Sequence, residues 1–395
     1  METADRDLAG APAGTVQGDR DRSLTERARR WAATMGGHPT SVAGFRQAHA
    51  GGAANVGPLP LVDRAAREAA EDRLLAPGAT RARSAGDRPR PEEPDDWRTC
   101  FEKDRDRILH STAFRRLAGK TQVFVFPSDH QRTRLTHALE VAQVARAITT
   151  ALGLNVALAE AIALGHDCGH GPFGHASEDA LDPLVPGGFD HAPWGADITL
   201  ATLNLTRQVS DGIRNHSWSR PAPATPEGEV CAIADRLAYT THDAEDAARA
   251  GVVDLADLPS AVLERVGANR SRQLHVFIHD AVETSQRNGA IGMSDDVAEA
   301  LASLRAWNYE RIYLRPDSVD QAALVQRLLR ALVEHYVAHP GDLPDADQLD
   351  GEANRQRAAV GYVAGMTDRF ACAQAASLLA WPASEMPEGF DRPAA

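Results

Sequence analysis

From Trp97 onward, apolar residues recur every three or four positions, and no sustained run alternates apolar with polar residues. That spacing is the one a 3.6-residue helical turn imposes, and it leaves little chain for a sheet. "TRLTHALEVAQVARAITTAL" shows it most plainly, with Leu135, Leu139, Val141, Val144, Ala145, Ile148 and Leu152 at helical intervals. Gly153 and Asn155 interrupt the pattern, and "VALAEAIALGHD" resumes it. "PGGFDHAPWG" reads as a loop. Further helices are expected over "ITLATLNLTRQVSDGIRNHS" and "PEGEVCAIADRLAYTTHDAEDAARAG", the second ended by Gly251. Four more cover roughly 258–287, 294–313, 319–338 and 354–380. Val123, Phe124, Val125 and Phe126 alone have the composition of a short strand. The expected fold class is all-α.

The chain before Trp97 is of another kind. Residues 1–58 are rich in Gly, Ala, Pro, Arg and Asp and are expected to be largely disordered, with a short helix near "SLTERARRWAATM". Residues 59–95 give one helix, "LVDRAAREAAEDRLL", and a Pro/Arg-rich linker. A core domain is expected over 96–255, a C-terminal helical region packed on it over 256–385, and a tail over 386–395. No basic-then-apolar leader opens the chain, so a cytoplasmic address is expected, and no apolar run reaches the roughly 18–20 residues of a membrane span. Cys100, Cys168, Cys231 and Cys372 are scattered without C-x-x-C spacing, which argues against a disulfide framework or a cysteine zinc site. A net charge of −13 disfavours general nucleic-acid binding. Locally the balance reverses: Phe101 to Arg134 holds eight Lys/Arg against four acids, a basic patch suited to a small polyanion.

Chemistry concentrates in the helical part. Ala163 to His175, "ALGHDCGHGPFGH", carries three histidines and an aspartate among glycines and a proline. His137 lies on the preceding helix, and the adjacent pair His166–Asp167 closes the next one. Asp235 sits within "VCAIADRLA", where an aspartate must face a core or a pocket and needs a cation or hydrogen-bond partner. Two imidazoles and two carboxylates from separate helices make a mixed N/O set for one divalent metal ion, with positions left for water and phosphate oxygen. Glu178 follows His175 by three residues, on one helical face, where it can fix the imidazole tautomer and raise its basicity. Asp235, Tyr239 and Asp243 fall at i, i+4 and i+8 on a single helical stripe.

These blocks taken in order, "RDRILHSTAFRRLAGKTQVFVF", "RTRLTHALEVAQVAR", "GHDCGHGPFGHASE", "LNLTRQVSDGIRNHS", "IADRLAYTTHDAEDAARAG" and "VAGMTDRFA", resemble the dGTPase, or dNTP triphosphohydrolase, family of the HD-domain metal-dependent phosphohydrolases. The resemblance runs from about Asp96 to Ala380. It implies an all-α HD bundle that hydrolyses a deoxynucleoside triphosphate to deoxynucleoside and inorganic triphosphate. It implies His137, His166, Asp167 and Asp235 as metal ligands, for Mg²⁺ or Mn²⁺ first, with Fe, Co or Zn also compatible. It implies His170, His175 and His191 as active-site histidines, with His175, paired to Glu178, as general acid. Arg134 would contact the phosphates, Tyr239 would pack against the deoxyribose and Asp243 would bind its 3′-hydroxyl. Arg116 and Lys120 are further candidates for sugar or phosphate contact. The resemblance also implies a homo-oligomer, with a second, activating dNTP site.

Two segments depart from the family's pattern. Ala192, Pro193 and Trp194 follow His191 where Asn and Gln are common, and Gly361 stands where an acid is common. An HD phosphohydrolase of a monophosphate or signalling nucleotide is the alternative enzyme reading. A nucleotide sensor that retains the metal site is the alternative non-enzymatic one.

Overall fold

The computed structural model describes residues 26–51, 57, 59–84, 86–127, 131–344 and 351–388. The expectation of disorder for residues 1–25 and the tail beyond 388 lie outside the described residues. The chain divides after Leu61 into two compact units. In the first, α1 (Glu26–Thr34) is followed by an antiparallel pair, β1 (His38–Pro39) and β2 (Arg46–Gln47), with His38 opposite Gln47.

The second unit is helical. It opens with α2 (Arg64–Leu74), α3 (Cys100–His110) and α4 (Thr112–Arg116). Next come α5 (Arg134–Leu152), α6 (Val156–Gly165), α7 (His175–Leu181), α8 (His191–Trp194), α9 (Arg207–Asn215) and α10 (Pro226–Arg249). The rest are α11 (Ser260–Arg265), α12 (Arg270–Asn288), α13 (Asp295–Asn308), α14 (Pro316–Ala338), α15 (Glu352–Ala364) and α16 (Asp368–Leu379). Local chemistry explains the ends. Gly153 ends α5 in the left-handed conformation (φ 66°), and Asn155 caps α6 by accepting from the Leu158 N–H at 3.2 Å. Thr225 caps α10, and Pro226 takes the first helical position, where its missing N–H costs nothing.

Apolar side chains gather in two clusters. One joins α3, α5, α6 and α10 with α12 and α13 through residues such as Phe101, Val141, Ile162, Leu237 and Phe277. The other joins α7 and α8 to α14, α15 and α16 through Leu181, Trp194, Leu329, Val360 and Ala371. The glycine-rich segment between α6 and α7 passes from one to the other: Cys168 is buried in the first and Phe173 in the second.

The structure differs from the periodicity reading at breaks that a helical pattern does not show. Residues 198–217 are not one helix: a π-turn over Gly195–Thr199 and a short 3₁₀ turn precede α9, and Asn204 between them is left-handed (φ 55°). Asn204 is held there by its side chain, which accepts from the Arg90 N–H at 2.9 Å and donates to the Arg90 carbonyl at 2.8 Å. Left-handed Gly267 (φ 82°) separates α11 from α12, and Gly365 to Thr367 separate α15 from α16. Val123–Phe126 is a series of bends rather than a strand. Phe124 packs into the first cluster while Phe126, at φ 48°, packs edge-on against Phe173 at 5.9 Å, so the segment serves both cores and, among the described residues, pairs with no strand.

Candidate active site

α5, α6 and α10 pack side by side and bring His137, His166, Asp167 and Asp235 together. His137 Nε2 lies 3.0 Å from Asp235 Oδ1, and His166 Nε2 lies 3.6 Å from the same oxygen and 3.3 Å from Asp167 Oδ1. The His166 ring is oriented from behind: its Nδ1 donates to the Ala163 carbonyl at 2.6 Å. A carbonyl only accepts, so Nδ1 carries a hydrogen, and Nε2 is the nitrogen turned inward toward the carboxylates. That Nε2 is buried and has no hydrogen-bond partner among the described residues.

An orphaned, inward-facing imidazole nitrogen beside two carboxylates is the arrangement that a divalent ion satisfies, and the donor set of two His and two Asp suits one. The electrostatics agree. Burial opposes a charge on His166, yet Asp167 and Asp235 outweigh it and push the ring up to about 9. Burial likewise opposes ionisation of Asp167, but His166, Arg134 and His170 hold it well below the usual carboxylate range. Both shifts express the pairing of the His166 imidazole with the two carboxylates.

The segment after Asp167 needs glycine for a close approach. A Cβ at Gly169 would lie 2.0 Å from the His191 carbonyl oxygen and 2.4 Å from the Gly195 nitrogen. With the chain this close, His170 stacks on His191, ring centres 3.7 Å apart and planes 14° from parallel. Proline suits a helix's first turn, but Pro172 does not open the next helix. It lies in the turn, and α7 begins at His175, after left-handed Gly174 (φ 64°), whose missing side chain leaves room for the Arg134 guanidinium.

Glu178 links two histidines. Its Oε2 receives His175 Nδ1 at 2.6 Å, and its Oε1 receives His191 Nδ1 at 2.8 Å and the His191 N–H at 3.1 Å. Burial would raise this carboxyl, but the neighbouring His191 and the hydrogen bonds from both rings hold it far below the usual range. His175 itself is exposed, its side chain 76% accessible, so the pair offers solvent an imidazole backed by a firmly ionised carboxylate.

Arg134 is buried; its Nη1 donates to Asp167 Oδ2 at 2.7 Å, while Nε and Nη2 have no partner among the described residues. Tyr239 is half-buried and accepts from Arg305 Nε at 2.8 Å. Asp243 is buried and already bound by Arg132 and by the Tyr313 hydroxyl. Two candidates stand apart from the cluster. Lys120 is buried and donates to the backbone carbonyls of His170 and, at 2.9 Å, Ala364, so its ammonium props the loop rather than facing the pocket. Arg116 donates to the Gly365 carbonyl at 3.1 Å.

The structure adds groups that sequence spacing did not reveal. His216, at the end of α9, is buried with Nε2 3.2 Å from His191 Nε2. Arg132, Arg305 and Tyr313 surround the Tyr239–Asp243 stripe. His216 falls within the "LNLTRQVSDGIRNHS" block, the one signal that could have marked it.

Comparison with known proteins places the chain among HD-domain relatives. Residues 134–240 match the HD domain family model, and residues 291–377 match a phosphohydrolase-associated domain. A protein from Caldanaerobacter subterraneus subsp. tengcongensis named deoxyguanosinetriphosphate triphosphohydrolase-like is 42% identical over 312 residues, 77% of this chain and 92% of its own. Proteins of the same name from Clostridium perfringens strain SM101 (41% over 300 residues, 72% of this chain and 87% of theirs) and Roseobacter denitrificans (37% over 377 residues, 78% and 97%) are also similar.

Proposed function

The chain belongs to the HD-domain phosphohydrolase family of deoxyguanosinetriphosphate triphosphohydrolase-like proteins, and on that premise we propose that it hydrolyses dGTP, or several dNTPs, to deoxynucleoside and inorganic triphosphate. The observation that carries the reading is the convergence of His137, His166, Asp167 and Asp235 beside the Glu178-backed His175.

His137, His166, Asp167 and Asp235 would hold one divalent ion, Mg²⁺ or Mn²⁺ first and Fe, Co or Zn as other fits to an N/O set. Such an ion, when bound, supplies Lewis-acid charge toward the phosphates and acidifies water. The protein's own groups do the rest. Arg134, with Nε and Nη2 buried and unpartnered, donates to phosphate oxygens while its Nη1 keeps Asp167 in place. Water attacks the α-phosphorus and gives up a proton to solvent, the bond from that phosphorus to O5′ breaks, and the departing O5′ takes a proton from His175, which, exposed as it is, regains one from solvent. Glu178 stabilises the imidazolium before transfer and holds the ring orientation through Nδ1. His170 and His191 stack to form the wall between metal ligands and proton donor. Tyr239 packs under C2′ and excludes a ribose hydroxyl, and Asp243 accepts from the 3′-hydroxyl. The reading includes a cytoplasmic homo-oligomer with an activating dNTP site. Among the described residues no helix is long and apolar enough to cross a membrane.

The test is anion-exchange separation of products from each dNTP and GTP, singly and mixed, with Mg²⁺ or Mn²⁺. Triphosphate plus deoxynucleoside, absent for GTP and absent with Asp167→Ala, is the expected result. Monophosphate or pyrophosphate as product would replace the reading with another HD phosphohydrolase activity. Nucleotide binding without any product would replace it with a sensor.

A further inference from the structure

Arg132 is a buried arginine to which the proposed reaction gives no task. It lies just before α5, and the backbone beside it is pinned: Thr133 pairs with Thr121 in an isolated antiparallel bridge, and the Arg134 N–H donates to the Lys120 carbonyl at 3.2 Å. From that root the guanidinium reaches across to α10. Nη2 donates to Asp243 Oδ1, Nε donates to Asp246 Oδ2 at 2.7 Å, and Nη1 donates to Glu140 Oε2 on α5 at 3.3 Å. Nε and Nη2 form one edge of the planar fork. Asp243 and Asp246, three residues apart, lie on one face of α10, so that edge spans both carboxylates. Burial opposes the charge, but Asp243, Asp246 and Glu140 outweigh it and hold the guanidinium more firmly protonated than usual.

A buried ion pair is by itself weak evidence for stability, because desolvation offsets much of the attraction. A planar fork held at three points has another effect: it is fixed in orientation, and so is what it holds. Asp243 has one donor on each oxygen, Arg132 on Oδ1 and the Tyr313 hydroxyl on Oδ2. Each carboxylate oxygen carries two lone pairs, so one remains on each, in a plane that Arg132 sets. Asp243 shares its stripe of α10 with Tyr239 and Asp235, the stripe on which the proposed reaction places the sugar.

We propose that Arg132 is a positioning residue for sugar recognition: it fixes the Asp243 carboxylate so that a 3′-hydroxyl meets a free lone pair, and the preference for nucleotides that carry that hydroxyl depends on it. The inference rests on the reading that Asp243 accepts from the 3′-hydroxyl. It does not rest on hydrolysis, so binding alone tests it. Lysine in place of Arg132 keeps the charge and loses the planar edge, which separates positioning from simple charge balance.

The full-length wild type, Arg132→Lys, Asp243→Ala and the double variant are dialysed to equilibrium, in chelator, against dGTP and against 2′,3′-dideoxyguanosine triphosphate. The wild type is expected to bind dGTP tighter by about tenfold or more. Arg132→Lys should bring that ratio to within about threefold of the Asp243→Ala value, with dideoxynucleotide affinity unchanged, and the double variant should lose nothing further. Equal weakening of both nucleotides in Arg132→Lys, with the ratio kept, would overturn the proposal and leave Arg132 a structural tie, while a changed ratio in Asp243→Ala would keep the sugar reading intact. A ratio that Asp243→Ala also leaves unchanged, or a wild type that binds no dGTP, would remove the sugar reading and this proposal with it. Should Arg132→Lys not fold by circular dichroism, Asp246→Ala, which frees Nε and lets the guanidinium turn, takes its place; a ratio lowered by about threefold or more is expected, and an unchanged ratio overturns the proposal.

Discussion

Asp368 ties the C-terminal helices to the loop that carries the site histidines, and its removal gives a stability change that can be worked out. At the start of α16 its Oδ1 accepts from the Phe173 N–H at 2.7 Å, and its Oδ2 accepts from the Thr121 N–H at 2.8 Å and the Thr121 hydroxyl at 2.6 Å. The residue is 2% exposed. Asp368→Ala leaves two buried N–H donors without acceptors, at about 1–3 kcal/mol each, while the hydroxyl can turn elsewhere. Part of that loss is returned, because burial outweighs the hydrogen bonds and raises the Asp368 pKa, so the folded state holds this charge at a cost. A net loss of about 3 kcal/mol follows. For a unit of about 330 residues the unfolding entropy is about 0.7 kcal/mol/K, so Tm should fall by about 4 °C. Asp368→Asn keeps one oxygen for Thr121 and turns an amide N–H toward Phe173, so its loss should be about half as large. Differential scanning calorimetry of the three proteins gives the order directly. An alanine variant within about 1 °C of wild type, or an asparagine variant less stable than the alanine one, would refute the reasoning.

Glu178→Gln offers one oxygen and one amide where two Nδ1–H groups need acceptors, so either His175 or His191 must turn or change tautomer; kcat should fall by about 10²–10⁴ with KM little changed. Steady-state kinetics with dGTP measures this, and a fall under threefold contradicts the proton-donor role. Burial pushes the Lys120 ammonium down from 10.5 to about 8, so the folded state disfavours the charged form and that penalty is relieved as pH rises from about 8 toward 10.5. Relative to Lys120→Met, the wild type should gain about 1.5 kcal/mol between pH 8 and 9.5 in denaturant unfolding; a flat or falling difference removes the buried ammonium from the account. Tyr239→Ala should raise GTP turnover relative to dGTP by about tenfold or more, and an unchanged ratio would take sugar selection away from that ring.

Local chemistry made much of the site legible. His137 and Asp235 lie on helices whose apolar spacing is clear, and His166 and Asp167 directly follow the end of another, so titratable residues at core positions are visible in one dimension. His175 and Glu178 are three apart on one helix, so their 2.6 Å hydrogen bond follows from helical geometry. His216 had no such mark. It reaches His191 only because the backbone breaks at Asn204 and α9 then lies against α8, and that break is made by Arg90, more than a hundred residues earlier. The Arg305–Tyr239 and Tyr313–Asp243 contacts join α10 to the end of α13 and the π-turn after it, across 66 and 70 residues. Lys120 shows a second kind of long-range effect. A basic residue in a basic block invites a phosphate, but desolvation and two backbone carbonyls claimed its charge.

The most direct test of the central claim is where water's oxygen goes. Hydrolysis of dGTP in H₂¹⁸O, with products resolved by mass spectrometry, separates attack at the α-phosphorus from every other course. Attack there, with His175 protonating O5′, puts one ¹⁸O in inorganic triphosphate and none in deoxyguanosine. Label in deoxyguanosine, in pyrophosphate or in monophosphate would contradict it.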